Sequence, residues 1–106
     1  MNLNDLLRDQ AENGETWNEF FRVPAMSLGL YVLPAGGVDG QAPHAEDEMY
    51  LVAEGRAVLR VEGIDRPVGP GDILFVAAHD DHRFHSISED LKLLVAFAPA
   101  ESDTTV

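Results

Sequence analysis

Two imidazoles and one carboxylate, His44, Glu48 and His82, stand where a folded chain could bring them onto one divalent ion. Three residues separate His44 from Glu48, and His82 follows the polar segment His79-Asp80-Asp81. Glycines recur around them at 36, 55 and 71. Two His and one carboxylate form the facial donor set of non-haem iron sites and match some catalytic zinc sites, with positions left open for substrate. Manganese and nickel accept the same donors, so the expected cofactor is a divalent transition metal: Fe, Mn, Ni or Zn. Binding needs neutral imidazoles, so affinity is expected to fall as the pH drops through about 6.5.

Geometry restricts how these residues meet. Residues 44 and 48 in one straight strand would lie about 13 Å apart, whereas ligands each approach their ion to about 2.2 Å. The chain must reverse between them, and Ala45-Glu46-Asp47 is polar and short enough to be that turn. His44 then closes one strand, Glu48 opens the next and His82 starts a third. Glu46 and Asp47 are expected in solvent. Tyr50 and Phe84 share faces with Glu48 and His82 and are expected to line the pocket. Gln41 is an extra ligand or a supporting group, although strand parity turns it away from His44. Parity also directs His85 outward, and His79 is expected to be exposed. Arg83 points out and Arg56, Arg60 and Arg66 lie elsewhere, which favours a neutral or metal-chelating substrate over an anionic one.

The elements that must hold these residues are mostly strands. Residues 2–13 carry Leu3, Leu6, Leu7 and Ala11 on one helical face, with Asn2 as cap and Gly14 as stop. Trp17, Phe20 and Phe21 form an aromatic cluster. Short strands then succeed one another at near-regular spacing: 26–32, 48–53, 56–61, 73–76, 82–87 and 91–98 among at least seven. Turn signals Glu62-Gly63 and Gly69-Pro70-Gly71-Asp72 punctuate them. One helix followed by such a series predicts an all-β antiparallel barrel or sandwich. The expected organisation is a helix and arm at 1–23, a barrel at 24–99 and a flexible tail at 100–106. Met49, Leu51 and Ala53 oppose Glu48, Tyr50 and Val52, so this strand is apolar on both faces. A homodimer would cover the outer face; the alternative cover is the N-terminal segment with Trp17 and Phe21.

These motifs resemble those of a small single-domain cupin of the RmlC-like superfamily, over roughly residues 30–98. Gly36, His44, Glu48 and Gly55 match the first cupin motif, with Ala42 where the family has its first histidine, on the same strand and face as His44, so that it is expected to open onto the pocket. Gly71 and His82 match the second, with Ala77, His79 and Ser86 replacing its Pro, Gly and Asn. The resemblance implies an antiparallel double-stranded β-helix, the jelly-roll or cupin barrel. It also implies metal binding by His44, Glu48 and His82, and activity as a dioxygenase or isomerase. The alternative is a non-catalytic ligand-binding or sensor cupin with a degenerate site.

Composition narrows the partners. The 106 residues fit one domain, and 45% hydrophobic content supports a core. A net charge of -12, with 19 acidic residues against 7 basic ones, repels phosphate backbones and anionic lipid. Small molecules are the expected ligands, not nucleic acid or membrane. Cysteine is absent, so thiolate ligands and disulfides are excluded. No leader or spanning segment is apparent, and a cytoplasmic location is expected. Nucleophile–His–Asp, phosphate-loop and dinucleotide signatures are also lacking.

Overall fold

The computed structural model describes residues 1–102. Helix α1 (Leu3–Asn13) begins where the Asn2 side chain accepts from the Asp5 amide at 3.2 Å. It ends at Gly14, whose φ of 71° lets its N–H reach the Gln10 carbonyl. Leu7 and Gln10 are the residues this helix buries, while Ala11 is exposed. Gln10 Nε2 faces the carbonyls of Glu15 and Leu30, each at 3.0 Å, so an amide as well as the leucines fixes the helix to the sheet.

Six strands follow: β1 (Trp17–Val23), β2 (Met26–Leu33), β3 (Asp47–Val61), β4 (Ile64–Val68), β5 (Ile73–Val76) and β6 (His82–Ala98). Their order is β1-β2-β6-β3-β4, with β5 also on β3, and every pairing is antiparallel. The fold is the expected all-β jelly roll. Six strands stand in place of the expected seven or more: 48–53 and 56–61 both belong to β3 and 82–87 and 91–98 to β6, while β1 and β4 add to the named spans. Register shifts between Val52 and Val58 bend β3 without breaking it. Gly55 sits in the bend at φ 96°, and a Cβ there would run into the Asp90 carbonyl oxygen. The two halves of β3 thus take different partners. Glu48 opposes Val76 and Phe97, whereas Val61 opposes Ile64 and His82.

The inner faces close over a core that includes Tyr50, Phe84, Leu91, Leu93, Val95 and Phe97, all at most 1% exposed. Trp17 packs on that core, edge-on to Tyr31 and Phe97 at 6.3 and 6.2 Å. It seats directly over Gly29, where a Cβ would collide with its ring. Trp17 therefore does not serve as the outer cover, and β1 places the arm residues 17–23 in the sheet. On the outer face Met49, Leu51 and Ala53 are half-buried, and Ile73 and Phe75 are exposed. Ala100 to Ser102 turn back over the barrel: the Ala100 amide donates to the Pro24 carbonyl and the Glu101 amide to Ser27 Oγ. The rest of the expected tail, 103–106, lies outside the described residues. Among the described residues no helix is long and apolar enough to cross a membrane.

Candidate metal centre

His44, Glu48 and His82 come from three different places and meet at one end of the barrel. Glu48 is the second residue of β3, and His82 is the first of β6. His44 lies in the connection between β2 and β3, which has no strand over residues 34–46. The expected strand ending at His44 is absent. Glycines and prolines interrupt this stretch, and its polar groups serve a different hub, the buried carboxylate of Asp39. Asp39 accepts from the Tyr31 hydroxyl at 2.7 Å, the Phe84 amide at 2.9 Å and Gln41 Nε2 at 2.8 Å.

Without a strand, parity does not govern residues 41–44. Gln41 is buried and Ala42 exposed, the reverse of the expectation. Asp39 holds the amide nitrogen of Gln41 and so turns Oε1 toward the site. That oxygen lies 3.3 Å from His44 Nε2 and accepts from the Tyr50 hydroxyl at 3.2 Å. Gln41 thus occupies the region into which Ala42 was expected to open.

One donor atom from each of His44, Glu48 and His82 lies within 4.8 Å of the other two, and all three side chains are buried. Two ligands about 2.1 Å from one ion lie about 3.0–3.4 Å apart at octahedral or tetrahedral angles, so a pair as wide as 4.8 Å would close by about 1.4–1.8 Å on binding. His82 Nδ1 donates to the Asp80 carbonyl at 2.9 Å, which directs Nε2 at Glu48. Nε2 approaches Glu48 Oε1 to 3.1 Å, yet the ring is not aligned for a hydrogen bond. Both Glu48 oxygens and His82 Nε2 are buried with no hydrogen-bond partner. Leaving such groups unsatisfied costs of order 1–3 kcal/mol each. Lone pairs that converge off the hydrogen-bond line suit a shared cation, so these residues fit a divalent metal.

The electrostatics agree. Burial alone would lower the His82 pKa, but the Glu48 carboxylate and the Asp80 carbonyl outweigh it and hold the ring above its ordinary 6.5. Burial and then the Glu48 charge push the Tyr50 phenol well above 10.0, so it remains a donor. Tyr50 and Phe84 meet edge-on at 5.0 Å and are fully buried beside the site.

Two grooves flank the connection at Gly40. One, of about 550 Å³, exposes parts of Gln41, His82, Arg60 and Arg83; the other, of about 290 Å³, is lined by His44, Glu46 and Ser102. Arg60 therefore does not lie away from the site, and Arg83, exposed as expected, lies on the same rim. They face each other across β3 and β6, and Arg60 is held by Asp65 at 2.8 Å. His85 joins the same carboxylate, outside the pocket as expected, and His79 is exposed. Glu46 is buried, not solvated, and accepts from Ser102 Oγ at 2.7 Å. Asp47 remains exposed and accepts from the Ala78 amide. Asp39 and Glu101 had no local sequence signal: one lies in a glycine-rich connection and the other in a polar tail.

The match to the cupin domain model covers residues 29–97. An uncharacterized protein of Streptomyces coelicolor is 45% identical over 100 residues, covering 94% of this chain and 95% of that protein. KdgF from a Halomonas species superposes with a TM-score of 0.75 at 21% identity, over 84% of this chain and 82% of its own. A predicted oxalate decarboxylase from Thermotoga maritima gives 0.63 at 26% identity, over 72% and 68%. With the motif residues in the barrel as described and most of the barrel matched, the chain belongs to the cupin family.

Proposed function

We propose that this cupin holds one divalent transition metal through His44, Glu48 and His82, with Gln41 Oε1 as a fourth donor, and acts on a small molecule. The class of reaction is that of a dioxygenase or isomerase, carried out by a cytoplasmic homodimer. The supporting observation is the set of buried Glu48 oxygens and His82 Nε2, which lie as close as 3.1 Å yet have no hydrogen-bond partner. When bound, the ion polarises a coordinating oxygen of the substrate. The side chains divide the remaining work. Asp39 orients Gln41, and the Asp80 carbonyl fixes the His82 ring. Phe84 and Phe97 keep water from the inner side, while substrate approaches through the groove rimmed by Arg83. Tyr50 keeps its proton and offers it to Gln41.

Protein reconstituted separately with iron, manganese, nickel and zinc is expected to hold one ion per chain by elemental analysis. Oxygen uptake with catechols, diketones and thiols, and isomerase assays on small keto compounds, then identify the reaction. Substoichiometric metal with all four ions would overturn the reading. The engagement of the Tyr50 hydroxyl with Gln41 favours a second reading as a ligand-binding or sensor cupin. Stoichiometric metal with saturable ligand-induced stabilisation and no turnover identifies that case.

A further inference from the structure

We infer that Glu101 is a positioning residue for His44, and that the C-terminal segment 99–102 is a strap whose docking and metal binding support each other. The inference rests on the metal reading above. Glu101 is 1% exposed, and its Oε2 lies 3.3 Å from His44 Nδ1. Glu101 Oε2 and Gln41 Oε1 both only accept, so each nitrogen of the His44 ring faces an acceptor, and an ion bound at Nε2 leaves the Nδ1 proton directed at Glu101. Glu101 is not one of the three converging donors, so it acts through His44.

The backbone around Glu101 is held from both sides. Its amide donates to Ser27 Oγ on β2 at 3.0 Å, and its carbonyl accepts from the Arg22 guanidinium on β1 at 2.7 Å. Next to it, Ser102 Oγ donates to Glu46 in the His44 connection. The strap thus joins β1, β2 and the connection that carries His44. Glu46, Glu48 and Glu101 are all buried at this end of the barrel, with Arg22, His44 and His82 as the cationic or potentially cationic groups around them. A divalent ion on His44 favours a carboxylate behind the ring. By linkage, a docked strap favours the ion to the same degree.

Zinc serves as the probe in calorimetric titrations of the full chain and of Glu101→Gln and Glu101→Ala. Zinc affinity is expected to fall about tenfold for the glutamine variant, which keeps an acceptor without charge, and about a hundredfold for alanine. In the wild type, zinc should slow amide exchange at residues 100–102. In zinc-free protein, NMR of the His44 ring should show a protected proton on Nδ1 that is lost in Glu101→Ala. Ser27→Ala removes one tether and keeps the carboxylate. It should weaken zinc severalfold and speed exchange at 100–102, and it carries the test if Glu101→Ala does not fold. Equal zinc affinity of wild type and variants overturns the role of Glu101, as does a His44 ring protonated at Nε2 alone. Absence of zinc binding by the wild type overturns the metal reading instead, and the Nδ1 proton still decides whether Glu101 orients the ring.

Discussion

Removing the Gln41 amide takes away both the oxygen beside His44 Nε2 and the acceptor of the Tyr50 hydroxyl. Gln41→Ala is expected to weaken metal binding about tenfold, as loss of an orienting or weak donor group does. Ala42→His starts from an exposed position and should leave affinity unchanged. Calorimetric titration of both variants checks the pair, and tighter binding by Ala42→His would put residue 42 in the site after all. The raised pKa of His82 adds a pH dependence with two opposite signs. Without metal, the charged ring beside Glu48 contributes stability that is fully present below its ordinary 6.5 and lost as pH rises through the raised value. Metal needs the neutral ring, so affinity declines as pH falls through that raised value, beginning above 6.5. Melting curves between about pH 5.5 and 8.5 should show the largest metal-induced rise in Tm at the alkaline end; a pH-independent rise would remove His82 from the ligands. His44, Glu48 and His82 were legible because donor type and spacing survive any local backbone detail. Gln41 and Ala42 were misplaced because alternation holds only inside a strand, and theirs is an irregular connection.

Among the elements, β3 and β6 set the shape of the barrel, and both were legible as paired shorter strands. Their fusion was not: Gly55 suits a bulge as well as a turn, and the polar Ser88-Glu89-Asp90 stretch reads as a turn although β6 runs through it. Gly55 is where β3 bends. Gly55→Ala combines a left-handed backbone with a collision against Asp90, and should destabilise the fold by about 3 kcal/mol or more in urea unfolding. Gly63 in the β3–β4 turn has a φ of 79° but open space around it. Gly63→Ala should therefore cost only about 1 kcal/mol. Equal losses at the two positions would mean that backbone conformation, not the close crossing of β3 and β6, is what Gly55 supplies.

At the scale of the molecule, the outer sheet face joins rows of apolar residues across strands. Phe75 opposes Met49, which opposes Ala96; Ile73 opposes Leu51, which opposes Leu94. Ile73 and Phe75 are 72% and 66% exposed, and no segment among the described residues covers them. A second copy placed across a two-fold axis would bury both rows, and this is the expected homodimer. Light scattering at physiological salt should give twice the chain mass, with Phe75→Lys shifting it to the monomer without loss of fold. A monomeric wild type removes the idea. Low salt is the wrong condition, since a charge of -12 on each copy drives them apart when screening is weak.

The seating of Trp17 provides an optical gauge for the proposed metal site. It is the only tryptophan in the chain, so all indole emission comes from one known position. Its ring touches Phe97, and Phe97 in turn lies edge-on to His44 with centroids 4.8 Å apart. The emitter is thus separated from a proposed ligand by one phenyl ring. Open-shell iron, manganese or nickel at His44 should quench the emission in proportion to occupancy, while closed-shell zinc should leave most of its intensity. A label-free fluorescence titration can then follow loading and release, and competition between zinc and a quenching ion can rank their affinities on the unmodified chain.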